Sequence, residues 1–189
     1  MGRRVAVGAL LALGVGLLAL SPLRSADASP DAVDVGFLHD MVDHHDQAVL
    51  LASIVLRPDS GASVPVRNAA LDVVSSQRFE IGMMTGWLRQ WGLSRGAPDR
   101  AAMAWMDMPV SVDAMPGMAS AGDVAALAEL TGRALDVRYL ELMIEHHQGG
   151  LHMAEAARER AEDPEVQRLA REIVRNQRKE IREMQTLVA

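Results

Sequence analysis

The sequence contains two copies of a histidine-bearing helical segment, and this internal repeat constrains the fold more than any other feature. Residues 37–52 (FLHDMVDHHDQAVLLA) align with residues 139–154 (YLELMIEHHQGGLHMA) at an offset of 102. Residues 77–84 (QRFEIGMM) align with residues 177–184 (QRKEIREM) at an offset of 100. Each half is therefore predicted to be one helix with a His pair and a second helix with a QxxEIxxM motif. Two such hairpins are expected to pack as a four-helix bundle, because neither can bury both of its apolar stripes alone.

Composition supports an all-α fold class. Hydrophobic residues make up 49% of the 189 residues, but aromatic residues make up only 3%. The core must therefore come from aliphatic side chains at helical spacing and not from β-rich segments. Capping residues, Pro and Gly place the four helices at about 31–56, 64–91, 123–160 and from 164 onward, with a long connection between the second and third.

The N-terminal segment predicts export. Residues 1–28 carry Arg3 and Arg4, then an apolar run from Val5 to Leu20 and the small-residue pattern that ends at Ala28, as in a secretory signal peptide. The apolar run is short for a spanning helix, so a membrane is expected as a partner only if this segment stays uncleaved. The mature protein is expected in the periplasm or outside the cell, as a single domain over 29–189. Its parts are repeat one (34–92), a connector (93–121) and repeat two (122–188).

Charge and cysteine content exclude several classes of function. The chain has 25 acidic residues against 19 basic ones, so nucleic acid is not expected as a partner. Because cysteine is absent, disulfides and thiolate metal sites are excluded. Any metal site must therefore use histidine, methionine and carboxylate side chains.

Helical spacing brings the repeated histidines to the core. Phe37, Met41, His44 and Ala48 fall on one stripe, and His45 lies about 100° from His44 around the helix. Buried polar side chains must be paired or must bind something, so the histidines either fix the register of the bundle or hold a metal. In the second case the carboxylates would orient the imidazoles. The candidate metal residues on the helices are Met41, His44, His45, Glu80, Met84, Met143, His146, His147, Glu180 and Met184.

The ligand types favour a soft ion. A di-iron carboxylate site in a bundle needs ExxH motifs, and the positions three residues before the paired histidines hold Met41, Val42, Met143 and Ile144. Thioethers favour Cu(I), the preferred cofactor here, and Ag(I). Five connector methionines extend the candidate set, although the alternative is that they only fill gaps in the packing. They are Met103, Met106, Met108, Met115 and Met118. Binding through histidine is expected to fade below about pH 6.5, where imidazole takes up a proton.

The doubled MxxHH pattern, the QxxEI motifs and the MPGM sequence of the connector resemble the domain of unknown function 305 family. The resemblance covers about 34–188 and implies a ferritin-like four-helix bundle from a group of mostly exported bacterial proteins. Some members are regarded as copper or silver binders without catalytic activity, which implies a non-enzymatic metal-binding or buffering protein. Two alternatives stay open: a structural or partner-binding bundle with packing histidines, and a ferritin-like metal-dependent oxidoreductase. The family's motif residues fall here on Met41, His44, His45, Gln77, Glu80, Met84, Met143, His146, His147, Gln177, Glu180 and Met184.

Overall fold

The structure is a computed structural model that describes residues 31–96 and 100–188. The signal peptide predicted for residues 1–28 lies outside these ranges. The described residues form five helices, and the prediction of an all-α protein is confirmed. Within these ranges, no helix combines the length and the apolar character needed to cross a membrane. The helices are α1 (Ala32–Val55), α2 (Val64–Gln90), α3 (Ala121–Glu129), α4 (Gly132–Arg160) and α5 (Pro164–Val188).

Two predicted helix starts are confirmed by their caps. The Ser120 hydroxyl accepts from the backbone N–H of Asp123, and the Asp123 carboxylate accepts from the backbone N–H of Ser120, which completes a capping box. The Asp163 carboxylate accepts from the backbone N–H of Glu165 at 2.8 Å, and α5 begins at Pro164. Proline at this first position loses no hydrogen bond that the helix needs.

The prediction of one continuous third helix over 123–160 is wrong, because the chain breaks between α3 and α4. Gly132 has a φ of +57°, which glycine adopts without a steric penalty. Its N–H donates to the carbonyl of Ser60 at 2.8 Å, and the Arg57 guanidinium donates to the carbonyl of Ala128 at 2.6 Å. The turn between α1 and α2 therefore satisfies the backbone groups that the break leaves without helical partners.

The two hairpins are joined by a pair of equivalent contacts. The Asp34 carboxylate on α1 accepts from the backbone N–H of Asp163 at 3.1 Å, just before α5. The Asp136 carboxylate on α4 accepts from the backbone N–H of Ser63 at 3.2 Å, just before α2. Helix α1 also packs on α2, α4 on α5, and α1 on α4, whereas α2 and α5 pack less closely. The first helix of each half thus holds the second helix of the other half.

Part of the connector is fixed to α1 by a buried carboxylate. Asp40 is fully buried and pairs with the Arg100 guanidinium. It also accepts from the backbone N–H of Met103 and from the Trp105 indole N–H, each at 2.7 Å. The Trp105 ring then meets the Phe37 ring edge to face, with centroids 5.9 Å apart. These contacts bring the first connector methionines into the core.

The core consists of two apolar clusters with a polar layer between them. The first cluster contains residues 37–42 of α1, most of the buried connector, and the apolar positions of α4 and α5 nearest the turn that joins them. The second cluster contains the apolar residues of 48–55 on α1, together with 66–73 on α2 and 135–143 on α4. Both His pairs fall between the two clusters. The fold therefore places the repeated motif at mid-height of the molecule, away from both ends.

Candidate metal centre

The motif residues of the two halves meet in one polar layer. All four imidazoles are completely buried, and both glutamines and Glu80 are buried as well. The Glu180 side chain retains 17% exposure. This layer separates the two apolar clusters, so its polar atoms have no access to bulk water except near the glutamates. The polar layer is defined by His44, His45, Gln77, Glu80, His146, His147, Gln177 and Glu180.

Three of the four imidazoles are oriented in the same way. His45 Nε2 lies 2.7 Å from Glu80 Oε2, and His147 Nε2 lies 2.7 Å from Glu180 Oε2. His44 Nε2 donates to the carbonyl oxygen of Pro116 at 3.1 Å. A carbonyl oxygen can only accept, so the proton of the neutral His44 ring is on Nε2. The Nδ1 atoms of these three rings are buried without a hydrogen-bond partner.

His146 differs from the other three because neither of its ring nitrogens has a partner. Its ring lies against that of His44, with centroids 3.8 Å apart and planes inclined by 37°. Buried nitrogens without partners are rare in folded proteins, since each loses its hydrogen bonds to water. The layer thus holds five unpaired imidazole nitrogens. At most four of them can bind a metal ion at one time, because one nitrogen of the neutral His146 ring carries a proton.

Burial keeps the two central histidines neutral. Loss of solvent, with a smaller contribution from the nearby His45 and His147 rings, lowers the pKa of His44 to about 3. Burial also lowers the pKa of His146 well below its usual value, and the three neighbouring histidines add to the effect. The prediction that binding through histidine fades below about pH 6.5 stays a prediction, and for these two residues the lowered pKa values favour binding that persists to lower pH. Each of the two rings therefore keeps one unprotonated nitrogen in mild acid while the protein stays folded.

Two amides and a phenol add further unpaired groups. Neither the oxygen nor the nitrogen of the Gln77 and Gln177 side chains has a hydrogen-bond partner. A Cβ atom placed on Gly150 would lie 2.6 Å from Gln177 Oε1, so this glycine makes room for the amide. The Tyr139 hydroxyl is also buried and unpaired, and burial together with Glu180 raises its pKa. A bound ion or molecule would therefore find both hydrogen-bonding groups and imidazole nitrogens in this part of the core.

The connector covers the layer on the side between α1 and α4. The Gln47 amide makes two hydrogen bonds with the backbone of Ala119, at 2.8 and 2.7 Å. A Cβ atom placed on Gly149 would lie 1.8 Å from the Pro116 carbonyl oxygen. Glycine at 149 is thus required by the close approach of the connector. The contribution of Pro116 and Gln47 was not predicted, because neither has an equivalent in the other half.

The predicted methionine ligands are distributed on both sides of the layer. Met41 and Met84 lie in the first apolar cluster with Met103, Met106 and Met115, and Met118 packs against it. Met143 and Met184 lie in the second cluster. Met108 is 49% exposed. The connector methionines therefore pack largely as core residues in this conformation, and the role of any methionine as a ligand stays a prediction.

The donor set fits a soft ion of low coordination number. Within residues 31–96 and 100–188, no three His, Asp or Glu side chains are arranged to hold a metal ion together. The available ligands are neutral imidazole nitrogens, with thioethers above and below them. Cu(I) and Ag(I) accept few ligands and favour nitrogen and sulfur, so these residues fit such ions better than hard cations.

The fold and the site together define the class of this protein. It is an all-α protein in which two sequence-related helical hairpins enclose a buried layer of histidines. The family model for the domain of unknown function DUF305 matches residues 34–188, and the chain belongs to this family. No curated protein matches the sequence.

Several solved structures are similar to this chain. A DUF305 protein from Streptomyces coelicolor, described as a candidate secreted protein, has 41% identity and a TM-score of 0.75, with 82% of this chain and 91% of that chain covered. A DUF305 fragment from Deinococcus radiodurans has 36% identity and a TM-score of 0.72, with coverages of 85% and 98%. CopM in its Cu(I)-bound form has 27% identity and a TM-score of 0.59, with coverages of 82% and 94%. CopM is also known in Cu(II)-bound and Ag-bound forms.

Proposed function

We propose that this protein is an exported metal-binding protein that holds Cu(I) or Ag(I) through the histidines of the polar layer and has no catalytic role. The observation that carries the proposal is the set of five buried imidazole nitrogens without hydrogen-bond partners. A layer that served only to fix the packing would pair these atoms within the protein. A metal ion supplies the missing partner.

The hydrogen bonds at Nε2 of His44, His45 and His147 support the same proposal. Imidazoles that bind metals usually donate their second N–H to a carboxylate or a backbone carbonyl, which fixes the ring and leaves the other nitrogen for the ion. His45 and His147 each have a glutamate in this position, and His44 has the Pro116 carbonyl. We therefore take Nδ1 of these rings, and one nitrogen of His146, as the candidate ligand atoms. The adjoining His44 and His146 rings are the first pair that an ion of low coordination number would use. Glu80 and Glu180 act as orienting groups.

The alternative of a ferritin-like oxidoreductase receives less support. We take the two packed hairpins as a four-helix bundle of the ferritin-like kind, with α3 as a short addition. A di-iron centre in such a bundle needs several carboxylates and two histidines that converge on the irons. In the described part of the chain no three of these side chains are so arranged. The ligand set favours binding or buffering of an ion over oxygen chemistry.

The similar proteins add support for the ion and for export. CopM, at 25–27% identity, is known with Cu(I), Cu(II) and Ag bound. The similar protein from Streptomyces coelicolor is described as a candidate secreted protein, which agrees with the signal pattern in residues 1–28. A purely structural or partner-binding bundle is the second candidate. It is favoured by the His45–Glu80 and His147–Glu180 pairs, which would fix the register of the hairpins without any ion.

The proposal predicts a clear order of metal affinities. Titration of the reduced protein with Cu(I), in competition with a chelator, is expected to give tight binding, and Ag(I) should compete with Cu(I) for the same site. Fe(II) should bind weakly and cause no oxygen consumption, because imidazole and thioether favour soft ions. Cu(II) should bind through nitrogen alone and more weakly than Cu(I). Paired Fe(II) with oxygen consumption would restore the oxidoreductase alternative, and failure to bind any of these ions would favour the structural bundle.

A further inference from the structure

An ion must reach the polar layer, and the side between α1 and α4 is closed. Pro116 and Gly117 lie directly over this side, where a Cβ atom on Gly117 would be 2.8 Å from His146 Cα. The hydrogen bonds from His44 and Gln47 hold the connector in place. A groove of about 430 Å³ lies outside and includes His152 in its lining, but Pro116 and Gly117 separate it from the four histidines of the polar layer.

The opposite side, between α2 and α5, is open. A groove of about 410 Å³ runs between Asp72, Ser75 and Ser76 on α2 and a row of polar residues on α5. We call it the α2–α5 groove. It shares Asp72, Glu180 and Glu183 with a narrower cleft of about 20 Å³, which has room for roughly one water molecule or one ion. The open surface and the narrow cleft therefore meet.

The cleft ends at the polar layer. Its walls include Val73 and the Met184 side chain, each only 2% exposed. Its third wall is Glu180, whose Oε2 lies 2.7 Å from His147 Nε2. The fully buried His147 ring has an unpaired Nδ1 beyond this contact. A cation in the cleft would thus meet a carboxylate and a thioether immediately before the first imidazole.

The charge of the groove suits a cation. Three carboxylates line it, whereas its basic residue Lys179 is already paired with Glu183 at 3.0 Å. The equivalent positions in the other half differ: Phe79 takes the place of Lys179, and Met83 takes the place of Glu183. The acidic walls thus belong to one end of the molecule and do not follow from the repeat. Such a groove raises the local concentration of cations.

We propose that a soft monovalent cation enters the polar layer through the α2–α5 groove, passing between Glu180 and Met184. This inference rests on the proposed function, because it names the route to the same site. The route gives Glu180 a second role, since the carboxylate that orients His147 also receives the incoming ion. The connector side stays closed during loading.

A substitution that fills the cleft tests the route. Ala69 lines the cleft on α2, and phenylalanine there would occupy the space of about 20 Å³. Ala69→Phe is expected to slow both loading and release of Cu(I) about tenfold, which corresponds to an added barrier of about 1.4 kcal/mol. The equilibrium affinity should not change, because no ligand is altered. The rates are measured by stopped-flow transfer of Cu(I) to and from a coloured chelator, with circular dichroism to confirm the fold.

A matched control addresses the other side. Gln148 lines the groove outside the connector, so Gln148→Phe adds an aromatic ring on that side and is expected to leave both rates unchanged. Slow transfer in Gln148→Phe with normal transfer in Ala69→Phe would overturn the route and place access under the connector. Normal rates in both variants would overturn it in favour of a wider opening of the helices. If the wild-type protein takes up no Cu(I), the proposed function itself fails.

The charges provide a second, milder test that keeps the cleft open. Asp72→Asn with Glu183→Gln is expected to lower the loading rate about tenfold at low ionic strength, and the difference should shrink as salt is added. Glu172→Gln with Glu162→Gln is the control matched for net charge. Glu172 occupies the position equivalent to Asp72 in the other half, and the exposed Glu162 does not line the groove. Equal loss of rate in this control would mean that net charge, and not the groove, attracts the ion, and the route would lose its support.

Discussion

Replacing His146 with leucine is expected to abolish tight Cu(I) binding while leaving the metal-free protein at least as stable as the wild type. Both ring nitrogens of His146 are buried without partners, and an unpaired buried polar group costs about 1–3 kcal/mol. Leucine has a similar size and no polar atom, so it removes that cost. The affinity for Cu(I) should fall by more than about 100-fold, beyond the usual effect of losing an outer orienting group. Chelator competition and urea unfolding measure the two quantities.

The control for this variant is the same substitution at a histidine outside the layer. His39 Nε2 donates to the carbonyl of Ser94 at 3.0 Å, and His39 is not part of the polar layer. His39→Leu is expected to leave Cu(I) affinity unchanged and to cost about 1 kcal/mol of stability, because it breaks a satisfied hydrogen bond. If His146→Leu instead destabilises the protein by several kcal/mol and binding persists, His146 is a packing residue.

The metal-free protein is expected to lose stability steeply as the pH falls below about 6.5. In the unfolded chain His44 and His146 titrate normally, so the unfolded state binds protons there, whereas burial lowers both pKa values in the folded state, that of His44 to about 3. The folded state is therefore favoured above pH 6.5, and this advantage declines below it. Each residue contributes a slope of about 1.4 kcal/mol per pH unit, so the pair contributes about 2.7.

Urea unfolding between pH 7.5 and pH 4.5 measures this slope. The double variant His44→Leu/His146→Leu is the control, because it keeps all other titrating groups, and its slope should be smaller by about 2.7 kcal/mol per pH unit. Adding Ag(I) at pH 5 should restabilise the wild type and not the double variant, since an ion that binds only the folded state stabilises it. Equal slopes in the two proteins would mean that the central histidines are not held neutral by burial.

The main features of the fold could be predicted because the sequence signals for them, the capping residues and the helical spacing, act over only a few residues. Helix starts at Ser120 and Pro164 follow from capping chemistry, and the stripe through His44 follows from helical spacing. The break before Gly132 was not predictable, because it depends on Arg57 and the Ser60 carbonyl, which approach from another part of the chain. The contacts of Asp34 and Asp136 had a signal in the sequence, since these residues also repeat at an offset of 102.

The candidate site was predictable in composition but not in arrangement. Sequence spacing indicated that the His pairs face the core with the QxxE helices opposite, and the polar layer contains these residues. It could not indicate which nitrogen each ring exposes, because that depends on the Pro116 carbonyl and on the two glutamates. Nor could it reveal that Met41 and Met143 lie in different apolar clusters, since the repeat treats them as equivalent.

The most direct test of the central claim is nitrogen NMR of the imidazoles in ¹⁵N-labelled protein, with and without Ag(I). The Ag(I) ion is a redox-stable stand-in for Cu(I) of the same soft class. The account predicts that the ring nitrogens of His44 and His146 shift on addition of one equivalent, that those of His39 and His152 stay unchanged, and that the His44 ring retains its proton on Nε2. Ring nitrogens of His44 and His146 that stay unchanged on addition of Ag(I) would contradict it.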